Sequence, residues 1–162
     1  MLSRKIFILG VITALALSLT GCISDPTEVN WEEEFFGKET YAELQMDVSF
    51  SDRKAVQPVL DFADEAFSFI VATDEDKKEA EERFGKLHTY CLTNDDVASE
   101  AHAIDFLSAK TDGNNGYLWV HYYREGYDKN GDCTCGAWGI KSRWTIKKID
   151  GEWVVTDIFE HP

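Results

Sequence analysis

Asp157 is the residue whose type and neighbours best suit proton chemistry. It alternates with Val155 and Phe159, so a strand there would set its carboxyl among apolar side chains, with Trp144 beside it. A carboxyl deprived of water holds its proton more tightly and can act as a general base or anchor a ligand. The competing role is a structural hydrogen bond to a backbone N–H or an arginine. His121 and Tyr123, which share a strand face with Trp119, are the candidate acid–base partners. A cross-strand aromatic ladder is the other use of that trio.

The thiols point less clearly to chemistry. Cys133 and Cys135 flank Thr134 and, with Cys91 or His121, would offer soft metal ligands, but they lack the two-residue spacing of zinc knuckles and have no second pair. Thiols or a single disulfide are the simpler outcome, and no metal or cofactor is expected. Asp128 to Asp132 imitates the opening of a calcium loop, yet Cys133 stands sixth where glycine belongs and Gly139 twelfth where a bidentate glutamate is required, which predicts a plain turn. His88 and His102 read as surface or helix-end residues. Phosphate-binding glycine loops, nucleophile elbows and paired metal-binding histidines are missing from the sequence, so catalysis is the second reading, behind binding.

The elements that must position these groups follow from periodicity. Val56, Val59, Leu60, Ala63, Phe67 and Ile70 recur at three- and four-residue steps and predict a helix from about Asp52, with Pro58 in its first turns, where a missing N–H costs least. Thr73 followed by Asp76 is an N-cap signal, and Ala80, Phe84, Leu87 and Cys91 mark the stripe of a second helix. Residues 95–103 suit one short helix. The period then drops to two through Ile104, Phe106 and Ser108, Asp112 to Gly116 is dense turn chemistry, and strands are predicted over 117–124, 138–148 and 153–160, with a loop over 127–136.

Asp150-Gly151 is the strongest local signal, because a two-residue type I′ turn needs positive φ at both positions. An uninterrupted ladder from that turn sets Ile146 opposite Val155, Trp144 opposite Asp157 and Ser142 opposite Phe159, and directs this face toward the helices. Lys147–Val154, Thr145–Thr156 and Arg143–Ile158 would share the outer face. The candidate pocket is therefore Trp144, Ile146, Asp157 and Phe159, with Trp119 from the preceding strand.

The ending from Arg143 through Trp144, Ile146, Asp150, Gly151, Trp153 and Val155 to Asp157 and Ile158, preceded by two helices, resembles the nuclear transport factor 2-like (cystatin-like) superfamily. The resemblance spans about residues 52–160. It implies an α+β fold in which N-terminal helices pack on a curved antiparallel β-meander, forming a cone whose open end often holds a pocket. Members range from isomerases and dehydratases to non-catalytic binding and dimerisation modules, so the resemblance allows a homodimer through the sheet and leaves activity open.

Arg4 and Lys5, the apolar run Ile6 to Leu19 and the ending Leu19-Thr20-Gly21-Cys22 resemble the signal and lipobox of bacterial lipoproteins. The resemblance implies cleavage before Cys22, a lipid anchor of acyl chains on that cysteine, and an exported protein held at the extracytoplasmic face of the cell membrane. The apolar run is shorter than the ~20 residues of a spanning helix. The expected organisation is a signal peptide over 1–21, a lipidated N-terminus and acidic tether over 22–50 with Glu32–Glu34 as a solvated spacer, and the folded domain over 51–162.

The chain of 162 residues carries 16 basic and 30 acidic side chains, net −14; without the two basic residues of 1–21 the net is −16. Such a surface repels nucleic acid and anionic lipid alike, so attachment to the membrane falls to the covalent lipid. These readings converge on a lipid-anchored, non-catalytic binding protein whose cone takes a small apolar ligand or an envelope protein. The alternative is an isomerase- or dehydratase-like enzyme with Asp157 as base.

Overall fold

A computed structural model describes residues 29–93 and 96–160. The lipobox and Cys22 lie outside these residues. Among them, no helix is long and apolar enough to cross a membrane.

Two short helices, α1 (Trp31–Phe36) and α2 (Lys38–Tyr41), and a 3-10 turn (Ala42–Gln45) precede the long helix α3 (Phe50–Phe67). A brief strand β1 (Ile70–Val71), helix α4 (Asp74–Phe84) and a 3-10 segment (Gly85–Tyr90) follow, and β2 (Leu92–Thr93) pairs in parallel with β1. The rest is an antiparallel meander in sequence order: β3 (Ser99–Asp112), β4 (Asn115–Tyr127), β5 (Cys133–Ile149) and β6 (Glu152–Glu160). The protein is thus a mixed α+β fold with helices on a four-stranded antiparallel sheet.

Local chemistry explains the helix starts. Ser49 accepts the Asp52 backbone N–H at 3.0 Å and caps α3, and Thr73 and Asp76 form a reciprocal capping box on α4. The Asp52 carboxylate also accepts the Thr111 N–H at 2.8 Å and its hydroxyl at 2.6 Å, which ties the start of α3 to the end of β3. The apolar stripe of α3 then falls on the sheet: Val56, Val59, Ala63, Ala66 and Phe67 pack against Leu118, Val120, Trp144 and Ile146.

Three expectations change. The short helix over 95–103 is replaced from Ser99 by the start of β3, whose pairing with β4 extends as far as Tyr127. The loop over 127–136 shrinks to Asp128–Asp132, because Asp128 accepts the backbone N–H groups of Asn130 and Asp132 at 2.8 and 2.9 Å and closes the turn on itself. Residues 31–45, expected within the tether, are folded: Phe36, Tyr41 and Leu44 cover Tyr117, Trp119 and Leu107 on the sheet face opposite α3. Too few apolar residues lie in this stretch to give a periodic signal, since isolated side chains such as Phe36, Leu44, Glu32 and Glu43 make the contact.

The terminal hairpin turns at Asp150 and Gly151, with φ of 53° and 93°. Its ladder begins as expected, with Ile149 opposite Glu152 and Ile146 opposite Val155. A β-bulge then inserts Thr156, so Thr145 faces Asp157, Trp144 faces Ile158 and Ser142 faces Glu160. Every residue beyond the bulge changes face. Ile158 joins the helix-side core, Phe159 moves to the outer side, and Asp157 becomes exposed on the outer face.

Candidate functional site

The helix side of the sheet holds a hydrogen-bonded knot where Asp157 was expected. Trp144 is fully buried and its indole N–H is shared between the Tyr90 hydroxyl at 2.8 Å and the Ser142 hydroxyl at 2.9 Å. Tyr90 gives its single proton to Glu160 Oε2 at 2.8 Å, so Ser142 donates to Tyr90 across their 2.9 Å contact. Tyr122 donates to Glu160 Oε1 at 3.3 Å. Burial, reinforced by the Glu160 charge, pushes both phenols well above the ordinary tyrosine range, which fixes them as donors. Glu160 is the inward carboxylate that sequence reasoning missed. A bulge whose position no residue type announces exchanged it for Asp157.

The candidate catalytic groups do not converge. His121 and Tyr123 lie on the outer face, Tyr123 42 % exposed, and His121 Nδ1 stands 3.7 Å from Asp105 Oδ2. Asp157 shares that face but lies in the row of Thr145 and Tyr117, whereas His121 lies in the row of Lys141. Four residues along a strand separate those rows, about 13 Å. Asp157 therefore has neither the apolar surroundings nor the partner a general base requires. Of the other pocket candidates, Trp144 and Ile146 are core residues, Phe159 packs on Phe36 with ring centroids 5.1 Å apart, and Trp119 is buried on the opposite side.

The thiols stay apart. Cys91 is buried, and loss of water pushes its thiol up to about 11, while Cys133 is exposed and Cys135 half-buried, with no disulfide among the three. No group of three or more His, Cys, Asp or Glu among the described residues is placed to hold a metal.

An apolar cleft of about 420 Å³ opens between the helices and the tip of the terminal hairpin. Val59 and Phe62 of α3 form one wall, Phe84 and Leu87 another, and Trp153 and Val155 of β6 the third. The Phe62 and Phe84 rings stand 5.4 Å apart, and the Lys148 ammonium lies 6.0 Å from the Trp153 ring. Glu152 at the tip is the single titratable residue in the lining. A second opening of about 510 Å³, between α3 and β3, is polar, and its carboxylates are engaged: Asp61 by Gln57, Asp64 by His102 and Glu65 by Arg83.

The outer face is clamped by charge. Glu43 takes a two-pronged contact from Arg143, Nε to Oε2 at 2.7 Å and Nη2 to Oε1 at 2.9 Å, and accepts the Trp119 indole N–H at 2.8 Å. Glu32 binds the Lys141 ammonium at 2.6 Å and the Tyr41 hydroxyl at 2.8 Å. Burial opposes the Glu32 charge, but those donors and the Lys141 charge outweigh it and hold its carboxyl below the usual range. The Phe36 ring meets the Trp119 ring edge-on at 4.8 Å. No protein-family model matches this chain, and no match was found among the curated proteins.

Proposed function

We propose that this protein is a lipid-anchored, extracytoplasmic binding protein that holds a small, uncharged apolar ligand in the cleft between α3, α4 and the β5–β6 hairpin. The observation that carries this reading is the cleft itself: about 420 Å³, walled by Val59, Phe62, Phe84, Leu87 and Trp153, within the size range of small-molecule sites. A lining with one carboxylate at its rim supplies hydrophobic contact and no acid–base pair, which favours binding over catalysis. The cone of the nuclear transport factor 2-like resemblance accommodates this position. The order of helices before a meander supports that fold, as do the irregularities at Phe106/Ser108, Tyr122/Arg124 and Thr145/Ile146, which bend long strands. In this reading Trp144 fills the inner cone, and the ligand sits toward the hairpin tip. A protein partner is the weaker occupant here, since a cleft this size takes a side chain or two rather than a surface.

Lipidation at Cys22 would leave residues 23–30 between the anchor and α1. Cys22→Ala is expected to release the protein from membranes; unchanged fractionation with an unprocessed mass would remove the anchor from the proposal. For the cleft, native mass spectrometry of the protein from its own host should show a co-purifying apolar molecule, and titration with the uncharged dye Nile red should give saturable fluorescence. Phe62→Glu, which puts a charge into the α3 wall of the cleft at a part-exposed position, should abolish both without unfolding the chain. Equal dye binding by that variant would overturn the site.

A further inference from the structure

Residues 31–45 meet the outer sheet face as a bound peptide would. They add no strand to the sheet and reach it mainly through side chains, with Glu32 and Glu43 gripping Lys141 and Arg143, partners 109 and 100 residues away in sequence, while the Glu43 carbonyl accepts the Ser108 hydroxyl at 2.8 Å. Their helices of six and four residues and a four-residue 3-10 turn are too short to persist alone, so tertiary contact supplies their hold. The joint to α3 is the extended link 46–49.

Charge supplies an independent pointer. In a chain with 30 acidic and 16 basic residues, Lys110, Lys141, Arg143 and Lys147 all project from this face, as their alternation with the buried Ala109, Ser142, Trp144 and Ile146 requires. Asp105 and Asp157 also lie on this face, but the patch around Lys141 and Arg143 is basic and complementary to an acidic segment in a molecule that otherwise repels one. Trp119 and Phe159 flank Arg143 in one row across the strands, and Phe36 meets both rings from a position four residues after Glu32 on the same helical face.

We propose that the face around Trp119, Lys141 and Arg143 is a docking site for an acidic, aromatic-bearing helical segment of a partner protein, and that residues 31–45 occupy it in cis as a pseudo-ligand. The recognition code is written by the occupant: a carboxylate on Lys141, an aromatic ring one helical turn later against Trp119 and Phe159, and a second carboxylate on Arg143 and the indole N–H. Charge clamps open more readily than the helix-side core, because salt and competing carboxylates weaken them. None of these residues lines the apolar cleft, so the two sites stand or fall separately.

The test uses the full chain and a labelled synthetic peptide with the sequence of residues 31–45, beside a scrambled peptide of equal composition. Glu32→Gln with Glu43→Gln loosens the cis segment while leaving the face intact, and should raise affinity for the native-order peptide at least tenfold over wild type. Adding Lys141→Gln and Arg143→Gln should return it to the scrambled-peptide level. Should the loosened variant fold poorly, hydrogen exchange of the wild type at high peptide concentration reads the same event, and protection must change in residues 31–45 and the strands β3–β6 beneath them but not in α3 or α4. The proposal is overturned if scrambled and native peptides bind alike, if cleavage within 46–49 shows the segment detached without a gain in affinity, or if the loosened variant pairs with itself in preference to the peptide, which would make the occupant a second copy.

Discussion

The two faces of one sheet are covered by different physics. On the helix side, an 18-residue helix lays Val56, Val59, Ala63 and Phe67 over Trp144 and Ile146, and the polar atoms beneath close into the Trp144–Tyr90–Ser142–Glu160 knot. On the outer side, segments of six, four and four residues suffice because two carboxylates and one phenyl ring do the holding. The first cover is non-directional burial that changes little with salt, and the second is a few directional contacts that salt and acid can loosen. Stability should therefore reside on the helix side and adjustable opening on the other.

The comparison breaks most visibly at its strongest point. Trp144→Ala empties a fully buried indole site and strips donors from Tyr90 and Ser142, and should cost about 3–5 kcal/mol in denaturant unfolding. Arg143→Ala leaves Glu43 without its cation in a site about one-fifth exposed. Breaking a fully buried pair costs more, so with this access to water about 1–2 kcal/mol is expected. The wild-type advantage over Arg143→Ala should shrink in 1 M salt, where the screening length falls to ~3 Å, while the Trp144→Ala deficit persists. Equal losses with equal salt response would erase the distinction between the covers.

Acid and base sharpen it further, since the faces carry titrations of opposite sign. Glu32 has its carboxyl held below the ordinary 4.5 by the Lys141 and Tyr41 contacts, which outweigh its burial. Its contribution is complete above that value and is lost as pH falls through the lower folded value. His102 runs the other way: burial disfavours its charge, but hydrogen bonds to Glu100 and Asp64 prevail and raise it above 6.5. Its contribution is complete below 6.5 and disappears as pH climbs through the raised value. Acrylamide quenching at Trp119 should thus rise on acidification below about pH 4.5, and Glu32→Gln should flatten that step. Hydrogen exchange where α3 meets β3 should instead quicken above pH 6.5, and His102→Gln should remove that dependence.

Much of the inner architecture is legible in the sequence because burial there is periodic. The α3 stripe, the Thr73–Asp76 cap and the Asp150-Gly151 turn each rest on a local rule, and each is present. The outer cover is illegible for the converse reason, since Glu32, Phe36 and Glu43 are spaced by what the sheet offers rather than by a helical period. The candidate site fared worst. Asp157 was placed by alternation counted outward from the turn, and counting holds only while the ladder is regular; Thr156 has no property that marks it as the inserted residue. The apolar cleft was missed because its walls come from three separate elements, and periodicity names the apolar residues without saying where packing leaves a gap.

The smallest expected effect tests that register most directly. Glu160 receives hydrogen bonds from Tyr90 and Tyr122, so Glu160→Gln, which keeps one carbonyl acceptor and loses the charge, should cost about 1 kcal/mol. Asp157, exposed in the row of Thr145, has no such role, and Asp157→Asn should stay within about 0.5 kcal/mol of wild type across neutral pH. An uninterrupted ladder reverses this order, because it turns Asp157 toward Trp144 and Glu160 toward solvent. Unfolding curves of the two single variants therefore read out the bulge: a larger loss for Asp157→Asn than for Glu160→Gln would return Asp157 to the interior and undo the assignment of both faces.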